Sequence, residues 1–156
     1  MQQAYPVILT KDGDSVIAEF PDVPEALTVG TDANNALVRA QDALVVALSG
    51  YVDDRRNIPK PSKPKTGQKA VVLPPLIASK LVIYQAMRDQ DVTQADLAAK
   101  LRCDARQVRR LLDLDHHSRM DLIDDALHAL GKKLIIDIQP LVSSKSGTLK
   151  KSRAAA

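Results

Sequence analysis

Residues 93–112 read TQADLAAKLRCDARQVRRLL, and the spacing inside this stretch predicts two short crossed helices joined by a tight turn. Leu97, Leu101, Cys103, Val108 and Leu111 fall where such helices share a core, and Ala98 falls at their closest approach, where a larger side chain would push them apart. Thr93 can cap the first helix and Asp104 the second, because each side-chain oxygen can accept a bond from an early backbone N–H. On the second helix Arg106, Arg109 and Arg110 stand at i, i+3 and i+4, opposite Val108 and Leu111. A basic face on the second of two such helices fits a helix-turn-helix that reads the DNA major groove. An ordinary helical hairpin with a solvated basic face is the competing reading. Arg102 stands where many such turns carry Gly, so it must take a left-handed conformation or use another turn.

The rest of the 156-residue chain is long enough for one domain or two small ones. Hydrophobic residues make up 45%, but aromatics only 3%, so its cores must be aliphatic. The single Cys103 cannot form an internal disulfide and reads as a small buried hydrophobe in a reducing compartment. Without a signal peptide or an apolar run near 18 residues, the expected location is the cytoplasm, with no membrane partner. The net charge of +3 hides an uneven distribution: residues 1–58 carry 4 basic and 9 acidic side chains, residues 59–75 carry 4 basic and none acidic, and residues 76–156 carry 14 basic and 10 acidic. An acidic front and a basic back suit two partners of opposite charge.

Read in order, residues 5–10 and 15–20 form two strands around Asp12-Gly13, a hairpin signal, and residues 26–30 form a third after the bend at Pro21 and Pro24. Thr31 and Asp32 open a helix whose buried stripe is Leu37, Ala40, Leu44, Leu48 and Tyr51. Residues 59–68, rich in Pro and Lys, lack the apolar content to join a core and read as a linker. A strand near residues 69–75 is expected to return to the first sheet, so the first domain comprises residues 1–58 plus that strand. The second, residues 76–140, begins with a helix whose inner stripe is Ile77, Leu81, Tyr84 and Met87. A later helix starts at Ser118 with Asp121 as an approximate capping box, carries Ile123, Leu127 and Leu130 inward, and closes at Gly131. In residues 133–139 Leu134, Ile136 and Ile138 alternate with their neighbours as in a strand, and a lone strand needs a partner for its backbone groups. Pairing with the same strand of a second chain would supply one and set two recognition helices about a two-fold axis. Residues 141–156 read as a disordered basic tail.

The sequence predicts no cofactor, metal or catalytic site. Asp12, Asp14, Glu19 and Asp22 could be read as nuclease carboxylates, but Asp12 and Asp14 flank a turn glycine, which accounts for them. His116 and His117 are adjacent and cannot chelate as an i, i+4 pair would.

The opening Tyr5-Pro6-Val7 strand and the run Phe20-Pro21-Asp22-Val23-Pro24-Glu25-Ala26-Leu27-Thr28-x-Gly30 precede a long Ala/Leu helix, a Pro-rich connector and the helix-turn-helix. This order resembles HicB-type antitoxins of bacterial toxin–antitoxin pairs, over nearly the whole chain except the tail. The resemblance implies an α+β fold: a small antiparallel sheet with one packed helix, similar to a partial ribonuclease H fold without its catalysis, joined to an all-α helix-turn-helix domain with a C-terminal dimerising strand. It also implies two partners, a small basic HicA-type ribonuclease toxin that cleaves mRNA and the operator DNA of its own operon, with palindromic half-sites for a homodimer or higher oligomer. The positions matching the base-reading helix are Ala105, Arg106, Arg109 and Arg110, with Gln94 and Gln107 suited to base or backbone contacts. For the toxin surface the expected residues are Tyr5, Phe20, Asp22 and Glu25. A free-standing repressor whose first domain binds a ligand or only oligomerises is the alternative, and a metal-dependent nuclease a third class.

Overall fold

A computed structural model describes residues 3–141, so the tail expected from residue 142 onward lies outside the described residues. The chain forms a mixed α+β structure with a four-stranded antiparallel sheet and five helices. Strand β1 (Ala4–Asp12) pairs with β2 (Ser15–Glu19) as far as the facing pair Asp12 and Ser15. The connection is therefore only Gly13-Asp14, tighter than the sequence suggests, and Gly13 supplies the positive φ of 57° that a two-residue hairpin turn needs. Strand β3 (Leu27–Gly30) adds beside β2, and β4 (Lys69–Val72) adds on the other side of β1, giving the order β3-β2-β1-β4.

Helix α1 (Ala33–Asp53) covers one face of this sheet. Its N-cap Asp32 accepts a 2.8 Å bond from the Asn35 backbone N–H. Its buried stripe is Ala36, Ala40, Leu44, Leu48 and Tyr51; Leu37, expected in the stripe, is only half buried, and Ala36 replaces it. The small residue at 36 lets α1 start directly against Gly30, where a Cβ would lie 2.3 Å from the Ala36 backbone nitrogen.

The Pro/Lys connector is tied down at both ends of its first half. Tyr5 donates its hydroxyl to the Pro59 carbonyl at 2.7 Å, and Asp22 accepts from the Ser62 N–H and hydroxyl at 2.7 and 3.0 Å. Helix α2 (Pro75–Asp89) then begins with proline at its first position, where the missing N–H has no helical partner to lose.

Two clusters of buried side chains result, and α2 belongs to both. Leu81 joins Tyr5, Val7, Phe20, Leu44 and Leu48 of the first, together with Leu114 from beyond the recognition stretch. Ile83, Tyr84, Ala86 and Met87 join the second, made with α3 (Gln94–Leu101), α4 (Ala105–Leu112) and α5 (Met120–Ala129). Leu97, Ala98, Val108 and Leu111 are buried between α3 and α4, while Leu101 and Cys103 are only partly buried.

Two expectations are corrected. Ser118 does not cap α5: the N-cap is Arg119, without a side-chain cap bond, and its guanidinium instead pairs with Asp121, removing that carboxylate from a capping box. Gly131, with φ of 71°, does follow the helix end. No strand forms over residues 133–139 among the described residues, because nothing in the same chain pairs with that backbone. Leu134 packs against the second cluster, whereas Ile136 and Ile138 remain 65% and 88% exposed.

At the centre of this arrangement Lys80 is fully buried, and its ammonium donates to the backbone carbonyls of Arg110, Asp113 and His116 at 3.1, 2.6 and 2.5 Å. Those carbonyls end α4 and begin the loop after it, so one cation satisfies groups a helix C-terminus leaves without partners. Two substitutions follow from this packing. Gly30→Ala should cost about 3 kcal/mol, because neither backbone at the contact can yield. Lys80→Met, similar in length but unable to donate, should cost about 2–4 kcal/mol. Both are read from urea denaturation, and an unchanged midpoint in either would contradict the packing described.

Candidate nucleic-acid interface and partner surface

The basic surface is built by the two short helices. Thr93 caps α3 in a complete capping box: its hydroxyl accepts from the Asp96 N–H at 3.1 Å while the Asp96 carboxylate takes the Thr93 N–H at 2.9 Å. These bonds to Thr93, hydroxyl first and backbone second, hold the Asp96 carboxyl below its ordinary value. Arg102 at the turn adopts the left-handed conformation, φ 52° and ψ 42°, so the chain accepts the cost that Gly would have avoided. Asp104 then caps α4 through a 2.8 Å bond from the Gln107 N–H.

Ala105, Arg106, Gln107, Arg109 and Arg110 are all exposed along α4, as is Gln94 at the first position of α3. Val108, Leu111 and Leu112 anchor the other side. Among the described residues the ion pairs are Arg56–Glu25 and Arg119–Asp121, so the α4 guanidiniums face solvent without a carboxylate partner. Beside them an open cleft of about 650 Å³ at the start of α3 is lined by Arg55, Arg88, Thr93 and Gln94. Lys80, which fixes the far end of α4, escaped sequence reasoning, yet it was legible there. It stands three residues after Ile77 and four before Tyr84, on the buried stripe, where a lysine must find acceptors.

The residues expected on the toxin surface divide. Tyr5 and Phe20 are 0% and 2% exposed and belong to the first core, so they support a surface and cannot form one. Burial, then the charges of Asp22 and Tyr51, push the Tyr5 phenol up to about 12, which keeps it the proton donor to Pro59. Asp22 and Glu25 are exposed, but both are engaged within the chain. Asp22 holds Ser62, while Glu25 accepts from the Tyr51 hydroxyl at 2.9 and 3.0 Å and from Arg56 at 3.1 and 3.2 Å. Arg56 also lies 3.8 Å from the Tyr51 ring centre. The same segment reaches α2: Tyr84 donates to the Arg56 carbonyl at 2.8 Å, and Arg88 to Asn57 at 2.9 Å.

No three His, Cys, Asp or Glu side chains converge among the described residues as a metal site would require, and no helix among them is long and apolar enough to cross a membrane. The carboxyl of Glu25 is held below its ordinary 4.5, first by a backbone hydrogen bond, then by the Tyr51 hydroxyl and Arg56. Since its folded value lies below the unfolded one, the folded chain binds fewer protons there. The stabilisation is complete above 4.5 and disappears as pH falls through the depressed value. Denaturant midpoints measured from about pH 6 to pH 3 should therefore fall less steeply for Glu25→Gln than for the unaltered chain.

Comparison with known proteins agrees with this layout. Residues 4–82, which hold the sheet, α1, the connector and the first half of α2, match the family described as the HicB-like antitoxin of a bacterial toxin–antitoxin system. Antitoxin HicB 2 of Photorhabdus laumondii is 41% identical over 130 residues, covering 83% of this chain and 92% of that protein. Antitoxin HicB of Escherichia coli K12 is 34% identical over 131 residues, with 83% and 95% covered, and that of Pseudomonas fluorescens is 34% identical over 136 residues, with 86% and 93% covered. A sheet domain carrying the Phe20-to-Gly30 run, matched over its full extent and continued by relatives of nearly equal length, makes this chain a member of the HicB-like antitoxin family.

Proposed function

We propose that the chain neutralises a HicA-type toxin, a small basic ribonuclease that cleaves mRNA, by binding it directly, and that it represses its own operon by binding operator DNA. It acts by binding and performs no chemistry itself. In this reading the first domain is a partial ribonuclease H-type sheet without catalytic function, and α3 and α4 are a helix-turn-helix. The observation that carries the DNA half is the exposed, unpaired row Arg106, Arg109 and Arg110 on a helix capped at one end by Asp104 and gripped at the other by Lys80. Bidentate arginine to guanine is the commonest specific base contact, and Gln94, Ala105 and Gln107 stand where backbone and edge contacts would be made. The toxin half rests on family membership and on the 9 acidic against 4 basic residues of positions 1–58, a field that attracts a basic partner.

Dimerisation through residues 133–139 belongs to the same proposal. Leu134 is anchored on the second core while Ile136 and Ile138 lie open, and an antiparallel copy would cover them and satisfy the idle backbone. Two recognition helices would then meet palindromic half-sites in the cytoplasm, where both operator and mRNA are found.

Arg106→Ala or Arg110→Ala should weaken specific operator binding by about 1–3 kcal/mol and relax specificity, as measured by gel shift on the DNA upstream of the gene. Unchanged binding in both would contradict the assignment of this face. Truncation before Lys133 should weaken operator binding and halve the mass in light scattering. Co-purification with the small basic protein encoded beside the gene separates an antitoxin from a free-standing repressor with a ligand-binding first domain.

A further inference from the structure

Helix α1 covers one face of the sheet and nothing in the described chain covers the other. Strand alternation and register put Ile8 and Thr10 of β1, Ile17 and Glu19 of β2, and Leu27 and Val29 of β3 on that outer face. Ile8, Glu19 and Leu27 form one row across the three strands, and Thr10, Ile17 and Val29 the next. Ile8, Leu27 and Val29 are 37%, 57% and 45% exposed, although each sits within a strand where a solvated antiparallel sheet ordinarily carries polar side chains. Four aliphatic side chains around one carboxylate are therefore displayed at one place, unlike the scattered single apolar residues common on protein surfaces.

We propose that this outer face is the docking surface for the toxin, a deepening that rests on the antitoxin reading above. Charge identifies the occupant. Glu19 stands inside the apolar patch, exposed and without an ion-pair partner among the described residues, and the Asp12–Ser15 end of the hairpin adds Asp12 and Asp14 at its margin. Covering Glu19 without a cation would strand a buried charge, so the occupant must bring lysine or arginine among apolar side chains. A basic protein does this. A second copy of the chain does not: two-fold packing of this face on itself sets Glu19 and the hairpin acids against their own equivalents. The one cation engaged at the margin, Arg39, is occupied with the Val29 carbonyl. Placing the toxin here leaves α4 and residues 133–139 free, so one chain can hold toxin and DNA on separate elements.

The test measures binding of the neighbouring toxin to the full-length chain by calorimetry, with operator binding and Tm recorded for every variant. Glu19→Gln keeps the shape and removes the charge, and it should weaken toxin binding about 10-fold or more and flatten its salt dependence. Leu27→Lys with Val29→Lys should weaken it about 30-fold or more. Val38→Lys with Val46→Lys alters two exposed valines on the far side of α1 and should change nothing. All should keep operator affinity and Tm. Toxin binding by the unaltered chain together with undiminished binding by both face variants would overturn this inference alone. So would face variants that shrink the chain's own oligomer while still binding toxin, since the occupant would then be a second copy. An unaltered chain with no affinity for the toxin would instead overturn the antitoxin reading, and this inference with it.

Discussion

The ammonium of Lys80, buried among three carbonyls at the end of α4, is the interaction on which the rest of the structure turns. A lysine with its whole side chain out of water is tolerated only when its charge is satisfied, and here the acceptors are backbone groups the helix end would otherwise leave idle. The consequence is geometric. α2, which carries Lys80, places the adjacent Leu81 in the core of the sheet domain and Ile83, Tyr84 and Met87 in the core of the helical one. Leu114, just past α4, returns to the sheet core. The basic helix is thus fastened to the sheet by a shared helix, although the charge pattern alone suggests two separate modules.

That fastening bears on regulation. The α1 end and the connector, which hold Glu25, Tyr51, Arg56 and Ser62, touch α2 through Tyr84 and Arg88, and α2 touches α4 through Lys80. A partner seated on the sheet and a DNA site on α4 would share one packed body. Each could bias the other only through a differential interaction with two arrangements of that body. Because the sheet's outer face is remote from these links in sequence and in packing, steric exclusion between the two partners is not required by the fold.

Much of the fold was legible because it is written in local patterns. The Asp12-Gly13 turn, the α1 stripe, the Thr93 and Asp104 caps and the Gly131 stop each announce themselves within a few residues. What escaped depends on contacts distant in sequence. Tyr5 and Phe20 looked like surface aromatics because nothing local says that residue 59 will cross over the Tyr5 hydroxyl and that α1 and α2 will close over the ring of Phe20. Lys80 was passed over as an ordinary helix charge, though its place on the buried stripe marked it. The α5 start was misjudged because Arg119 competes for the carboxylate that a Ser118 box would have used. The outer sheet face was readable only after register was known, since exposure of Ile8, Leu27 and Val29 follows from which side α1 takes.

The claim that sheet and recognition helix form one cooperative body is tested most directly by native-state hydrogen exchange. The account predicts that the slowest amides of β1 (Ala4–Asp12), of α2 between residues 80 and 87, and of α4 between residues 108 and 112 exchange with one common free energy, that of global unfolding. Exchange in α4 and α5 at a free energy about 2 kcal/mol or more below that of β1, with β1 still protected, would contradict it and show two modules that open independently.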